Sequence, residues 1–144
     1  MSPNKTRHLR RGAQDHEDAT TLNLGEEFQN TQCLFISEVR ILLEAQEDSK
    51  LEGTEKRPTT NITSKALDYV RTFTRFTNRD SVREVRQLLG KKDMSQFEAA
   101  QLANLVCEDA EEAKALVPSL TNKISDERVQ ELLAEMLTIK KFQG

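Results

Sequence analysis

The stretch Leu102–Leu120, LANLVCEDAEEAKALVPSL, decides the fold class, because it joins the end of an apolar helix, a short charged helix and a proline stop. Four carboxylates crowd the start of the short helix: Glu108, Asp109, Glu111 and Glu112. The partial positive charge of the first helical amides stabilises carboxylates there, so they need no catalytic explanation. Pro118 lacks an amide hydrogen and restricts Val117, which predicts that the helix ends at this point. The stretch therefore indicates a bundle of short helices rather than an active site.

The composition of the whole chain also favours helices. Its 144 residues, enough for one domain with tails, include five Gly, three Pro and no Trp, so turn signals are few. A formal net charge of −3 argues against a protein that mainly grips phosphate backbones. Cys33 and Cys107 lack CxxC spacing, which indicates two thiols in a reducing compartment. Since no apolar run could span a membrane or serve as a signal peptide, we expect a soluble, intracellular protein.

Two N-terminal segments precede the folded domain in the sequence-based division. Residues 1–18 are charged and aperiodic, which predicts a disordered tail. Residues 19–46 predict an arm and a first helix that bind a partner. Within the arm, Thr21, Leu22 and Leu24 predict a short extended stretch before Gly25. Such an arm either adds to a partner's surface or packs on its own domain, and the sequence leaves both alternatives open.

The first helix is predicted from Thr31 to about Gln46. Five apolar residues share one face at helical spacing: Phe35, Ile36, Val39, Leu42 and Leu43. Leu34 and Ile41 form a second apolar strip off that face. This second strip indicates either contact with two neighbours, one of them another chain, or deeper burial in the protein's own core. Residues 47–60 are charged, contain Gly53 and Pro58, and predict a linker.

Residues 61–144 predict the compact helical domain. The first predicted helix is Thr63–Phe76, with Asn61 or Thr63 as N-cap, and the second is Ser81–Leu89, with Asn78 or Asp80 as N-cap and Gly90 as a left-handed stop. The third runs from Gln96 to about Val106 and starts with a Ser95–Glu98 capping box. The short acidic helix follows, and the last helix runs from Asp126 to about Lys140, capped by Ser125. Short connections between these helices are typical of an all-α bundle.

The predicted helix Thr63–Phe76 combines aromatic and basic residues. Its apolar face is predicted to contain Ile62, Ala66, Tyr69, Val70, Phe73 and Phe76. Arg71 and Arg75 fall on the other side. An aromatic and basic mixture also suits single-stranded RNA, so the sequence supports two interpretations, a core face and a nucleic-acid platform.

The sequence offers no catalytic constellation. It contains no Gly-rich phosphate loop, no HExxH and no GxSxG. Neither His8 nor His16 lies in the predicted folded part, which removes the commonest general base. We therefore predict a non-catalytic protein without metal or cofactor.

Six stretches resemble, in order and spacing, the fourth-subunit family of eukaryotic RNA polymerase II. Their amino-acid sequence is most similar to that of fungal members. They are LNLGEEF at Leu22–Phe28, SEVRILLE at Ser37–Glu44, YVRTFTRFTNRD at Tyr69–Asp80, FEAAQLANL at Phe97–Leu105, the opening stretch, and NKISDERVQELLAEML at Asn122–Leu137. The resemblance covers about Ala19–Gly144. Residues 1–18 match nothing, and the linker is short beside the long insertions of some fungal members.

The resemblance implies a non-catalytic stalk subunit with a bundle similar to HRDC nucleic-acid-binding domains. It implies a heterodimer with the seventh subunit beside the RNA exit path, attachment to the polymerase core, and roles in initiation and transcript handling. It also implies a nuclear protein that shuttles to the cytoplasm and acts in mRNA export and decay. The implied arm contacts are Leu22, Leu24 and Phe28. Phe35, Ile36, Val39, Leu42 and Leu43, with Leu34 and Ile41, would divide between the seventh subunit and the chain's own bundle.

The alternative hypothesis is a free-standing helical nucleic-acid-binding module. Five arginines lie near one another in the sequence and motivate this alternative: Arg71, Arg75, Arg79, Arg83 and Arg86. The first three are its candidate contacts to nascent RNA or another nucleic acid. Such a module predicts binding that weakens steeply with salt.

Overall fold

The computed structural model describes residues 16–51, 58–91 and 93–143. Its six α-helices are α1 Ile36–Leu51, α2 Asn61–Phe73, α3 Arg79–Leu89, α4 Gln96–Leu105, α5 Ala110–Leu116 and α6 Asp126–Phe142, with 3-10 turns at Ala19–Thr21 and Pro118–Leu120. These described ranges contain no strand, only an isolated bridge between Asp18 and Asn23. The predicted all-α bundle is confirmed. Most of the predicted tail, residues 1–15, and the middle of the predicted linker, residues 52–57, lie outside the described residues.

The chain divides into two compact units, residues 1–31 and residues 32–144. The sequence-based division placed the first helix outside the helical domain. In the structure α1 belongs to the same unit as α2 to α6, because Phe35 lies in the core cluster together with Phe76.

The bounds of α1 differ from the prediction at both ends. The helix begins at Ile36 rather than Thr31, because a side chain from another helix caps it: the Ile36 amide donates to Asn104 Oδ1 at 2.8 Å. The Phe35 amide donates to Glu38 Oε1 at 3.0 Å. At the other end, α1 continues to Leu51, so the first residues of the predicted linker are helical.

Local signals predicted most of the other helix starts correctly. Asn78 caps α3 and Ser125 caps α6, while Ser95 and Glu98 form the predicted reciprocal box at α4. Thr60, rather than Asn61 or Thr63, caps α2, so the helix begins at Asn61 rather than at the predicted Thr63. It ends at Phe73, three residues before the predicted end. The predicted left-handed stop at Gly90 is wrong, because its φ is −78°.

The opening stretch folds largely as predicted. Asp109 caps α5 by accepting from the Glu112 amide at 2.8 Å, and the helix gives way at Val117 to the 3-10 turn Pro118–Leu120. Lys114 donates to the Ile124 carbonyl at 2.6 Å and pairs with Asp126 at 2.7 Å. These bonds fix the connection between α5 and α6.

The core lies where α3, α4, α5 and α6 meet the start of α1. Its largest fully buried apolar side chains are Phe35, Phe76, Leu89, Leu102, Leu120, Leu132, Leu133 and Met136. The predicted apolar face of α2 is wrong in part. Leu67 and Val70 fill the core side, whereas Ile62, Tyr69 and Phe73 are exposed. No helix in the described ranges combines the length and apolarity that a membrane span requires.

Candidate partner-binding surface

The inner side of α1 is anchored to the bundle by polar contacts. Ser37 is buried, shares a 2.8 Å hydrogen bond with the Thr74 hydroxyl, and accepts from the Phe76 amide at 3.1 Å. These bonds satisfy a buried hydroxyl and a buried backbone group at once. They set which side of α1 faces α2 and the segment that follows it.

Three arginines fasten α1 further. Arg40 donates to the Thr77 carbonyl at 2.6 Å and to Glu44 at 2.9 Å. Arg71 of α2 reaches the same carboxylate at 3.0 Å. At the start of the helix, Arg86 of α3 binds the Glu38 carboxylate and donates to the Cys33 carbonyl at 2.8 Å. The guanidinium of Arg86 also lies 5.3 Å from the centre of the Phe35 ring.

The opposite side of α1 carries apolar residues with no such anchors. At 100° per residue, Leu42 and Val39 lie roughly 140° and 200° around the helix axis from Ser37. Leu42 is 54% exposed and Leu34, just before the helix, is 51% exposed. Ile36, Val39 and Leu43 are half-buried. We call these five residues the α1 outer face: Leu34, Ile36, Val39, Leu42 and Leu43.

The structure thus divides the two strips that the sequence left undivided. Phe35 is fully buried in the core and Ile41 packs against it, so both serve the chain's own bundle. Within the α1 outer face, Leu34 and Leu42 are exposed and the other three residues are half-buried, so the chain's own bundle covers this face only in part. Sequence periodicity could not make this division, because both strips are apolar and helical in spacing.

The N-terminal unit, taken by itself, is a compact turn where an extended stretch was predicted. Asp18 caps the 3-10 turn by accepting from the Thr20 amide at 3.0 Å and from its hydroxyl at 2.6 Å. These bonds hold the pKa of the Asp18 carboxyl below its ordinary value. Leu22 then adopts a left-handed φ of 60°. The extended stretch is wrong here because the cap favours a turn.

A glutamine closes the loop that presents the predicted arm contacts. Gln29 donates to the Leu22 carbonyl at 2.7 Å and accepts from the Leu24 amide at 3.0 Å. Leu22 and Leu24 are half-buried, and Phe28 is exposed. Gly25 has a φ of +89°, and a Cβ there would lie 2.8 Å from Glu17 Oε1. Only glycine suits this turn.

The candidate nucleic-acid residues have different surroundings. Arg71 is engaged by Glu44, as described above. Arg75 and Arg79 are exposed, and neither has an ion-pair partner in the described part of the chain. Arg75 and Arg79 therefore remain the better candidates for contact with an anion.

The one fully buried carboxylate among the described residues, Glu98, has a structural explanation. Its oxygens accept from Lys123 Nζ at 2.5 Å, Ser119 Oγ at 2.6 Å and the Ser95 amide at 2.8 Å. Burial acts to raise the pKa of Glu98, but the hydrogen bonds from Lys123, Ser119 and Ser95 outweigh burial and hold the pKa below its ordinary value. The carboxylate ties α4 to the segment before α6 and has no place for a substrate.

The remaining chemistry-bearing groups of the described residues are a buried thiol and scattered His, Asp and Glu side chains. Cys107 is buried, and burial, followed by the nearby Glu112 carboxylate, raises the pKa of its thiol. A thiol in such surroundings is a poor nucleophile. Across residues 16–51, 58–91 and 93–143, no group of three or more His, Cys, Asp and Glu is placed to hold a metal ion.

The match to one family model and the matches to three relatives agree with one another. The profile of the RNA polymerase Rpb4 family matches residues 33–140. The chain is 42% identical over 130 residues to DNA-directed RNA polymerase II subunit rpb4 of Schizosaccharomyces pombe, covering 88% of this chain and 94% of that protein. It is 37% identical to the rpb4 subunit of Dictyostelium discoideum, covering 92% and 95%. It is 35% identical to DNA-directed RNA polymerase II subunit 4 of Arabidopsis thaliana, covering 90% and 98%.

Proposed function

The chain belongs to the RNA polymerase Rpb4 family, and from this premise we propose that it pairs with the seventh subunit of RNA polymerase II through the α1 outer face and the N-terminal unit. Membership of the family makes the chain a non-catalytic subunit of the nuclear enzyme. A structural role for the buried carboxylate of Glu98 is consistent with a non-catalytic subunit.

The observation that carries the proposal is the two-sided character of α1. Its inner side is fixed by Ser37 and Arg40, so the helix needs no further cover from its own bundle. Its outer face nevertheless exposes about half of Leu34 and of Leu42. Burying the rest of each leucine contributes roughly 1 kcal/mol. A partner that covers this face therefore gains apolar contact without disturbing the fold.

Co-purification with the seventh subunit tests the pairing. We expect the wild-type chain to elute with that subunit as a 1:1 complex, and Val39→Asp with Leu42→Asp to abolish the complex, because two unpaired carboxylates would be buried in it. Leu116→Asp is the matched control, since Leu116 is 50% exposed and lies on a different helix, α5. An unchanged elution profile for the double variant, or an equal loss in the control, contradicts the proposed interface.

We further propose that the paired subunit lies beside the RNA exit path, where it supports initiation and handles the transcript. The proposed roles in mRNA export and decay, and shuttling to the cytoplasm, rest on the family resemblance. Arg75 and Arg79 are the proposed RNA contacts, because they are exposed and have no ion pair in the described residues. Arg75→Ala with Arg79→Ala should weaken RNA crosslinking within the polymerase and leave the heterodimer intact. Unchanged crosslinking contradicts these contacts.

The same two arginines favour the second candidate function, a free-standing nucleic-acid-binding module. It predicts that the chain alone binds RNA and that raising the salt concentration weakens the binding steeply. Absence of binding at low salt removes this candidate.

A further inference from the structure

The outer side of α2 carries an apolar strip that the other described residues of its own unit, from residue 32 to residue 143, leave exposed. Ile62, Tyr69 and Phe73 are 82%, 57% and 52% exposed, and Ala66 completes the α2 apolar strip. The spacing of four, three and four residues places them on one side of the helix, over a length of about 16 Å. Large contiguous apolar surfaces of this kind mark interaction sites.

The undescribed segments at 1–15 and 52–57 contain few large apolar residues. Residues 1–15 contain only Met1 and Leu9 as large apolar residues, and residues 52–57, EGTEKR, contain none. The strip lies on a different helix from the α1 outer face, and Arg71, on the opposite side of α2, faces Glu44 of α1. A partner on the strip is therefore distinct from the proposed pairing.

The rim of the strip is basic. Lys65 lies four residues before Tyr69 on the same helix, and Arg75 follows Phe73. Gln143 donates to the Arg75 carbonyl at 3.0 Å and accepts from the Thr77 amide at 2.7 Å. These bonds bring the end of α6, with Lys140 and Lys141, beside the end of the strip. Within the described ranges, none of the four cations has an ion-pair partner.

The nearby carboxylates among the described residues are paired or point elsewhere. Glu47, which accepts from Thr59 just before α2, is paired with Lys50 at 3.1 Å. Asp68 is the only acidic residue on α2, and it lies roughly 100° around the helix from Tyr69. Glu44 lies across α2 from the strip and is already paired with Arg40 and Arg71. The rim therefore complements a negatively charged partner.

The shape of the strip favours a helix over a nucleic acid. Stacked bases need flat, open ring faces. Here the Tyr69 and Phe73 rings contact each other, with centroids 4.7 Å apart and planes tilted by 44°, and the most exposed member, Ile62, is aliphatic. The spacing matches that of helix packing. We propose that the α2 apolar strip binds an acidic amphipathic helix of another protein.

Fluorescence anisotropy with two synthetic helices tests this proposal on the full chain. Both probes have about 18 residues, a length at which helices become stable, and carry leucines at heptad a and d positions. One carries glutamate and the other lysine at the flanking positions. We expect the glutamate probe to bind at least about tenfold more tightly than the lysine probe. Tyr69→Ser with Phe73→Ser should weaken its binding by a similar factor.

Two controls make the result decisive. Leu116→Ser, an equally exposed apolar residue outside the strip, should leave probe binding unchanged. The Tyr69 and Phe73 variant should still form the heterodimer, so failure of this proposal is distinguishable from failure of the pairing. Equal binding of both probes, no binding of the glutamate probe, or full binding by the variant overturns the proposal. So does a polyuridine RNA, or a second copy of this chain, that occupies the strip and displaces the glutamate probe.

Discussion

Replacing Glu98 by glutamine removes the charge at the centre of a buried network while keeping the size of the side chain. The three bonds to its carboxylate, from Lys123, Ser119 and the Ser95 amide, are 2.5, 2.6 and 2.8 Å long. A hydrogen bond to a charged group contributes about 1 kcal/mol more than a neutral one, so three such bonds give a loss of roughly 3 kcal/mol. Lys123 is partly exposed, and solvent screening lowers this to about 2 kcal/mol.

The pH dependence of Glu98→Gln follows from the lowered pKa of Glu98 in the fold. The pKa in the unfolded chain is about 4.3. The contribution of the carboxylate to the free energy of unfolding is therefore complete above that value and disappears as the pH falls through the lower, folded pKa. The wild type should be more stable than the variant at neutral pH, and the difference should shrink as the solution becomes acidic.

Urea unfolding followed by circular dichroism at a series of pH values measures both effects. Glu111→Gln is the matched control, because Glu111 lies exposed in the first turn of α5 and contributes at most about 1 kcal/mol through the helix dipole. Equal losses for Glu98→Gln and Glu111→Gln at neutral pH would refute the reasoning. A stability difference that persists undiminished in acid would refute it as well.

Three further predictions concern the core, the tertiary cap and the buried thiol. Phe76→Ala should lower the free energy of unfolding by about 3–5 kcal/mol, whereas Phe142→Ala, at an exposed ring, should change it by less than about 0.5 kcal/mol in the same urea titration. Asn104→Ala should cost about 1 kcal/mol by uncapping α1, and a nearly unchanged midpoint would contradict the cap. In a Cys33→Ser background, Cys107 should be alkylated by iodoacetamide only as fast as the chain opens, because burial keeps it protonated and covered; mass spectrometry showing rapid labelling would argue against this.

Local signals explain what the sequence predicted well. Ser95 with Glu98 and Ser125 with the following acidic turn are complete within four residues, so their caps appear in the structure as expected. Asn104 lies 68 residues from the amide that it caps, and no local rule could have placed the start of α1 at Ile36. The prediction of a left-handed Gly90 is wrong because a helix can also end at a glycine with a negative φ, as it does here.

The predicted apolar face of α2 is wrong in part for a different reason. Periodicity places Ile62, Tyr69 and Phe73 on one side of α2, but it does not say whether the core reaches that side. Leu67 and Val70, roughly 80° to 140° around the helix from Ile62, take the buried positions instead. Leu67 and Val70 are three residues apart and therefore share one side of the helix. This spacing is the sequence signal that could have identified the buried side of α2. The contacts proposed for Leu22, Leu24 and Phe28 stay predictions.

The cap of α1 is supplied by Asn104, a residue of another helix, and this affects any attempt to block the proposed pairing with a peptide. A peptide copied from the 16 residues Ile36–Leu51 would lose Asn104, Arg86 and the Ser37 contacts that position the helix. Helices in proteins are stabilised mainly by tertiary packing, so without these contacts the copy would be only partly helical in water, would lose conformational entropy on binding and would compete weakly. A hydrocarbon staple across Ser37 and Ile41, which face away from the α1 outer face, would restore the missing constraint. In the proposed pairing, the bundle thus serves as the scaffold that holds this helix ready for the partner.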